Sequence, residues 1–428
     1  MSPQRRALFS LGPVLLLLLT GEVGARLVGA PVCEPIVPSA TGWDTMLGDP
    51  RYLWKLEPNR RMDSPDGAVT QINAIGLRTR LLPTDPKKPG EKRILVTGDS
   101  SVYGWGQPDG LTYAEQLEAE LNANFTGVTF SVINLGVPGY STVQTLRLLE
   151  DLGWAYQPDL LVVHNIFSDC NIDSFQDEVA LQLTDPDRTA FRWALHRSRL
   201  YCSVYMPWAR AQGSANQATN RVLQPGNPVG ANAGAALEVI DQVIDLSRVP
   251  LSDYLDNLST IQAEAKARGA TMVVAPLAQE WDVGIWNAPM TPPTEGQVLP
   301  WYPYREAQAE WAAEAGVPRI YLPEVFAKAP VDKSELFIDN MHPSVTGASI
   351  MAHEVVQLLR AQPALLDLEA TAVAGAPPWR PKESPYRRRG SGHGGGRQGG
   401  SPPGQGQGPS HGATPPQGPP LQPAGGPR

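Results

Sequence analysis

A serine, a histidine and an aspartate of this chain have the types and local settings that nucleophilic catalysis requires. Ser100 follows the apolar run ILVT and a glycine, Gly98, that permits a sharp turn. His342 lies in the polar segment DNMHPS, three residues after Asp339, so this carboxylate can reach the imidazole Nδ1–H locally. A histidine held in that tautomer presents Nε2 as a base to a serine hydroxyl. The sequence therefore predicts a Ser100–His342–Asp339 triad for acyl chemistry.

Strands that alternate with helices must position these side chains. Apolar runs predict five strands, RILVTG, VTFSVINLG, DLLVVHN, TMVVAPL and PRIYL. Amphipathic helices separate them, and one begins at a capping box formed by Thr112 and Glu115. This order predicts an α/β fold, a doubly wound, flavodoxin-like parallel sheet between two helical layers. Ser100 then falls at the carboxyl edge of the sheet, where such folds collect reactive side chains.

A second turn at the same edge follows the second strand. The segment INLGVPGYS contains Gly136, whose N–H can point into the edge and stabilise an oxyanion together with the N–H of Ser100. Each segment alone also fits an ordinary structural turn with a capping residue. Their combination and order favour the catalytic interpretation.

Composition divides the chain into four parts. We predict a signal peptide or membrane anchor at 1–30, an irregular lead-in at 31–90, a catalytic domain at 91–365 with insertions at about 166–248 and 278–300, and a disordered Gly/Pro-rich tail at 376–428. The tail carries too little apolar surface to offset its ordering entropy. Sequence alone sets no oligomeric state.

The first residues have the pattern of an export signal. Arg5 and Arg6 precede an apolar run centred on VLLLLLT, and the small residues at 23–25 offer a cleavage site. Apolar character resumes as far as Val28, so an uncleaved anchor that binds the membrane is one alternative, and a buried N-terminal helix is another. The first two place the protein in the cell envelope, either on the periplasmic side of the inner membrane or secreted.

Charge and cysteine content narrow the function classes. The net charge is −8, and the tail from Arg380 onward is basic, so the rest of the chain is strongly acidic and does not suit a nucleic-acid groove. The three cysteines form no C-x-x-C pair. They allow one disulfide and one free thiol, with Cys170–Cys202 the favoured pair, or three reduced thiols.

The segments quoted above resemble the SGNH or GDSL hydrolase family over roughly residues 70–360. GDSS is similar to the first block of that family, with Ser100 at the nucleophile, and NLGVPGYS to the second, with Gly136 at the oxyanion glycine. DNMHP is similar to the last block, with Asp339 and His342 as acid and base. The segment INAIGLR also resembles the lead-in of membrane-anchored bacterial members. The resemblance implies a serine esterase that needs no cofactor.

The third block departs from the family pattern, which has Gly-x-Asn-Asp after the third strand. The chain reads LLVVHNIFSDCNID there, which puts Ser168 at the asparagine position and Asp169 at the aspartate position. Ser168 is therefore the expected third oxyanion donor, and Asn165 or Asn171 is the alternative. Losing one such donor costs on the order of 100- to 1000-fold in rate.

Three functions are consistent with these residues. The first is an acyl hydrolase that acts on a small-molecule, lipid or glycan ester, and the second is an O-acyltransferase that moves an acetyl group to an envelope polysaccharide through the same triad. The third is a non-enzymatic binding protein on the same fold. No metal is expected, because Asp169, Asp173 and Asp177 lack the glycine turn and terminal glutamate of a calcium loop.

Overall fold

The computed structural model describes residues 3–30, 46–63, 69–171, 176–184, 195, 197–204, 247–285, 299–368 and 380–382. The predicted disordered tail at 376–428 lies almost entirely outside these residues, and so does most of the insertion at 166–248.

Eight strands and ten α-helices have defined bounds within the described residues. The strands are β1 Met46–Asp49, β2 Leu53–Leu56, β3 Arg61–Asp63, β4 Val69–Gln71, β5 Glu91–Thr97, β6 Thr129–Asn134, β7 Leu160–Val163 and β8 Thr271–Val274. The helices are α1 Pro3–Leu27, α2 Ser100–Tyr103, α3 Tyr113–Asn124, α4 Thr142–Asp151, α5 Phe167–Cys170, α6 Asp177–Thr184, α7 Leu251–Ala267, α8 Trp301–Ala315, α9 Leu322–Lys328 and α10 Val345–Ala361.

Strands β5 to β8 form one parallel sheet in the spatial order β6-β5-β7-β8. β7 is buried along its whole length, as a parallel strand covered on both faces must be. The chain leaves β5 toward β6 and then crosses back to β7. The direction of winding therefore reverses between β5 and β7, and folds of this type usually bind ligands at the carboxyl ends of the two strands where the direction reverses.

Helices pack in two groups around this sheet. α3 packs against α10, and α4 packs against α7. A right-handed crossover puts α3, which joins β5 to β6, on one face of the sheet. The chain then moves in the opposite direction, from β6 to β7 and from β7 to β8, so right-handed crossovers put α4 and α7 on the other face. The result is a three-layer α/β fold with flavodoxin-like strand order, which confirms the predicted fold class.

Two local predictions were wrong. PRIYL contributes only one parallel bridge, between Arg319 and Val274, because α9 begins at Leu322 and ends the extended segment. The lead-in is not irregular throughout, since β1 pairs with β2 and β3 pairs with β4 in two small antiparallel hairpins. Leu53, Trp54 and Leu56 of β2 are buried in the core, so the lead-in packs as part of the α/β domain.

The N-terminal segment forms α1, whose leucines at 15–19 are exposed. Within the described part of the chain, no helix has both the length and the apolar character needed to cross a bilayer. Near its end, Glu22 accepts hydrogen bonds from the Ser198 hydroxyl at 2.7 Å and the Leu200 N–H at 3.1 Å. The carboxylate of Glu22 thereby caps the helical segment at 199–204, which belongs to the insertion.

The favoured cysteine pairing was also wrong. Cys170 is a free thiol in the core, whereas Cys202 is disulfide-bonded, and the partner of Cys202 lies outside the described residues. Burial raises the pKa of the Cys170 thiol far above its usual range, so this group is protonated and unreactive at neutral pH.

A buried histidine follows β7. The Nδ1–H of His164 donates to the Ala275 carbonyl oxygen at 2.8 Å, and Nε2 accepts from the Tyr113 hydroxyl at 3.1 Å. Both contacts require the neutral ring, and burial lowers the pKa of His164 to about 4. Its pKa in the unfolded chain is about 6.5. Between these two values the unfolded state binds the extra proton, so the free energy of unfolding falls as pH decreases from about 6.5 to 4.

We expect His164→Asn to reduce this acid sensitivity. The asparagine amide can still donate to Ala275 O but does not titrate, so between pH 7 and pH 4.5 the variant should lack about 2 kcal/mol of pH-dependent destabilisation. The measurement is urea unfolding of both proteins at pH 7 and at pH 4.5. Burial also raises the pKa of Asp99 and of Asp169, which favours the folded state as pH falls. This opposite effect is present in the wild type and in the variant, so it cancels in their comparison. Equal pH dependence in the two proteins would contradict the prediction.

Candidate active site

The nucleophile candidate lies in the turn from β5 to α2. β5 ends at Thr97 and α2 begins at Ser100, so the serine lies at the carboxyl edge of the sheet. Asp99 caps α2, with its Oδ1 accepting a hydrogen bond from Ser101 N at 3.0 Å. Ser101 is buried, and its hydroxyl donates to the Met341 carbonyl oxygen at 3.5 Å. The two adjacent serines therefore have different hydrogen-bond partners.

The structure brings Ser100, His342 and Asp339 together. His342 Nε2 lies 2.7 Å from Ser100 Oγ, and His342 Nδ1 lies 2.7 Å from Asp339 Oδ2. The second oxygen of Asp339 accepts from the Met341 N–H at 3.0 Å and the His342 N–H at 2.9 Å. One carboxylate thus fixes both the ring and the backbone of the histidine.

The electrostatics of Asp339 suit this arrangement. Burial alone would raise the pKa of Asp339, but the hydrogen bonds from the His342 ring and from two backbone N–H groups lower it below its usual value. The carboxylate is therefore ionised at neutral pH. It can keep the proton of the imidazole on Nδ1 and stabilise the imidazolium that forms when Nε2 accepts a proton.

The turn that carries His342 is anchored to the segment after α2. The Ile338 N–H donates to the His342 carbonyl oxygen at 2.8 Å and closes the turn. The buried Gln107 side chain donates to the Pro343 carbonyl oxygen at 2.8 Å. The Trp105 ring lies 5.8 Å from the His342 ring, measured between centroids. Sequence reasoning missed Trp105, whose only signal was its place in a glycine-rich stretch near the nucleophile.

The lead-in supports α2 from its C-terminal end. Arg78 is buried and donates to the carbonyl oxygens of Gly104 at 2.7 Å and Gln107 at 2.6 Å, and it pairs with Asp109 at 2.8 Å. A cation at this end of a helix compensates the carbonyl groups that have no partner within the helix. A neighbouring cavity of about 580 Å³ is lined by Arg78 and Asn134 but by no member of the triad.

Gly136 does not have the predicted role. Its N–H donates to Asn134 Oδ1 at 2.9 Å and is therefore not free to bind an oxyanion. A side chain at this position would bring a Cβ within 2.4 Å of Tyr103 N, so the glycine is required for close packing of the turn on α2. The sequence could not show that Asn134 would occupy the Gly136 N–H.

Gly139 is the better candidate from this segment. Its backbone has a φ of 77°, in the left-handed region that glycine adopts without strain. The turn that contains it is bound to the nucleophile's turn, because Val137 N donates to Gly98 O at 3.2 Å. Within the described part of the chain, neither Gly139 N nor Ser100 N has a hydrogen-bond acceptor. Both N–H groups are therefore free to donate to an incoming oxygen.

The three candidates for the third donor are in different environments. The Ser168 hydroxyl donates to Asp99 Oδ2 at 3.5 Å, next to Ser100 in the chain. The Asn165 amide is fully buried and donates to the Tyr140 carbonyl oxygen at 3.1 Å, so Asn165 holds the β6 turn and does not fit the predicted role. Asn171 follows α5 and is exposed. Of the three side chains, Ser168 is the one that contacts the nucleophile's turn.

The acidic residues of the third block have structural contacts. Asp169 Oδ1 accepts from the Thr142 N–H at 2.8 Å and the Thr142 hydroxyl at 2.6 Å, and so caps α4. Burial, aided by the charge of Asp177, raises the pKa of Asp169 to about 7. Asp173 lies outside the described residues. Among those described, no group of three His, Cys, Asp or Glu side chains could hold a metal ion.

Comparisons with known proteins give distant structural likenesses. No family model and no curated protein matches the sequence. A lipolytic protein of the G-D-S-L family from Desulfitobacterium hafniense is 12% identical with a TM-score of 0.36, covering 63% of this chain and 99% of that one. A lipase/acylhydrolase from Enterococcus faecalis is 15% identical with a TM-score of 0.38, covering 63% and 96%.

A third structure, an acetylxylan esterase from Geobacillus stearothermophilus, is 15% identical with a TM-score of 0.37, covering 62% of this chain and 93% of that one.

Proposed function

We propose that this protein is a serine hydrolase of acyl esters that acts through an acyl-enzyme. One observation carries the proposal: Ser100 Oγ, both ring nitrogens of His342 and Asp339 Oδ2 form a continuous line of hydrogen bonds, each 2.7 Å long. A buried serine in a strand-to-helix turn, bound to a histidine that a carboxylate orients, has the geometry of an activated nucleophile.

In the first step, His342 Nε2 accepts the Ser100 proton while Oγ attacks the carbonyl carbon of the ester. The carbonyl oxygen becomes an oxyanion. His342 then gives the proton to the departing alkoxy oxygen, the carbon–oxygen bond breaks, and an acyl-serine and an alcohol result. Water attacks the acyl-serine with His342 again as base, which releases the carboxylic acid and restores Ser100.

The oxyanion needs donors that are aimed before the reaction begins. We assign this role to the N–H groups of Ser100 and Gly139, which have no acceptor among the described residues. Ser168 is the proposed third donor, since its hydroxyl contact with Asp99 is long enough to be exchanged for an oxyanion. Transfer to a glycan hydroxyl, the alternative outcome, would replace water in the second step and leave the first unchanged.

The test is mass spectrometry after treatment with a fluorophosphonate, which reports the nucleophile without knowledge of the substrate. We expect one adduct, on Ser100 and not on Ser101, and none in Ser100→Ala. The matched control is Ser101→Ala, which removes the hydroxyl bonded to Met341 O and should still be labelled. A folded wild-type protein that remains unlabelled would support the non-enzymatic binding alternative. Products formed with and without a glycan acceptor would separate hydrolysis from transfer.

We also propose that the protein acts in the cell envelope. The basic pair Arg5-Arg6 before a leucine run supports export, and so does the disulfide at Cys202, because disulfides persist mainly in oxidising compartments. Fractionation of expressing bacteria should recover the protein from membrane or periplasm. Recovery from the cytosol with an intact N-terminus would refute this location.

A further inference from the structure

Three successive carbonyl groups of the turn after β6 are each held by a side chain from a different part of the chain. Trp54 Nε1 donates to Pro138 O at 3.0 Å, Arg248 Nη1 donates to Gly139 O at 2.7 Å, and Asn165 Nδ2 donates to Tyr140 O at 3.1 Å. The lead-in, the end of the long insertion and the third block therefore converge on one turn.

These contacts determine where the Gly139 N–H points. The C=O of Pro138 and the N–H of Gly139 belong to the same planar trans peptide and point in opposite directions. The indole N–H of Trp54 therefore directs the Gly139 N–H away from the lead-in. Arg248 fixes the next peptide plane through Gly139 O. With both planes fixed, the φ of 77° at Gly139 is fixed as well.

Arg248 is itself held rigidly. Its guanidinium binds both carboxylate oxygens of Asp177, at 2.9 and 2.6 Å, and Gln144 Oε1 at 2.9 Å. It also lies 5.0 Å from the centre of the Trp54 ring. Both charged partners are buried, with side-chain exposures of 5% and 0%. A planar guanidinium in such a bidentate pair has little freedom to move.

We infer that Trp54 and Arg248 are positioning residues for oxyanion stabilisation by the Gly139 N–H, an inference that rests on the function proposed above. Neither residue takes part in the proton transfers, and both act through the backbone on either side of Gly139. Their effect should therefore fall on the turnover step, in which the oxyanion forms, and not on substrate binding.

Trp54→Phe is the main test, because it removes the indole N–H and keeps an aromatic ring under Arg248. We expect kcat for a p-nitrophenyl ester to fall about 10- to 100-fold, a part of the loss that removing a whole oxyanion donor causes, with KM within about twofold of wild type. The ³¹P resonance of the Ser100 phosphonyl adduct should also shift, because the phosphoryl oxygen occupies the oxyanion position.

The chain offers a matched control. Trp154 also donates its indole N–H, to Glu264 at 2.6 Å, and also lies under an arginine, with Arg268 4.9 Å from the ring centre. Trp154 follows the C-terminal end of α4, whereas the turn precedes its N-terminal end, and it lies before the amino end of β7. Trp154→Phe should leave kcat, KM and the ³¹P resonance unchanged.

Arg248→Met is the second variant to be tested in the same assays. Combined with Trp54→Phe, it should lower kcat by less than the product of the two separate effects, because both residues orient the same glycine. If Arg248→Met does not fold, Trp54→Phe still decides the outcome. Wild-type values of kcat and ³¹P shift in Trp54→Phe would overturn the inference. Absence of labelling and turnover in the wild-type protein would instead refute the proposed function.

Discussion

His342→Ala is expected to lower kcat/KM for ester hydrolysis by about 10⁴-fold or more, which is the usual cost of removing the base from a triad. Ser100 Oγ has His342 Nε2 as its hydrogen-bond partner at 2.7 Å. A serine hydroxyl without a base is a poor nucleophile, so labelling by a fluorophosphonate should slow in the same proportion. Release of p-nitrophenol from a p-nitrophenyl ester would measure hydrolysis, and timed mass spectrometry would measure labelling.

A second histidine–carboxylate pair provides the control. His353 Nδ1 lies 2.6 Å from Glu120 Oε1, between α10 and α3. This pair resembles His342–Asp339 in its ion-pair geometry but does not contact Ser100. His353→Ala should therefore retain activity, even if it lowers the melting temperature. Equal losses in the two histidine variants would mean that the loss reflects folding and not the removal of a base.

Asp339→Asn should lower kcat by about 10³- to 10⁴-fold and leave the fold intact. The asparagine oxygen can still accept from the backbone N–H groups of Met341 and His342. Its NH₂ group would then face Nδ1 and favour the tautomer with the proton on Nε2, which cannot act as a base. A normal melting temperature with a low kcat would show that the tautomer is responsible.

Asp339→Ala is the informative comparison. The Asp339 side chain is 42% exposed, so water can enter the space that Ala leaves and accept the Nδ1–H proton. We expect a smaller loss of kcat from Asp339→Ala than from Asp339→Asn, together with a lower melting temperature because the turn loses two backbone contacts. A larger loss from the alanine variant would contradict the tautomer explanation.

The parts of this site that sequence predicts well are short-range. The continuous apolar runs of β5 and β7 identify strands that are buried on both faces, and Asp339 reaches His342 across three residues. The meeting of Ser100 with His342 spans 242 residues, yet it follows from the rule that reactive residues collect where parallel strands end.

The choice between Gly136 and Gly139 could not be made in the same way. Both lie in one turn, and the direction of each N–H depends on partners elsewhere: Asn134 for the first, and Trp54, 84 residues away in sequence from Pro138, for the second. The predicted disulfide between Cys170 and Cys202 was wrong for a related reason. Apolar burial makes Cys170 a core side chain, and nothing in the spacing of the cysteines encodes that burial.

The buried pair of Asp177 and Arg248 also joins the two ends of the long insertion. The Asp177 N–H donates to Arg248 O at 2.9 Å, and the Arg248 N–H donates to Asn171 O at 2.8 Å, so the chain leaves and rejoins the domain at one point. Closing a longer loop at a fixed point adds little entropic cost. A change in the length of the chain between α6 and Arg248 therefore costs little closure entropy, whereas loss of either side chain of the pair would also release the turn at Gly139.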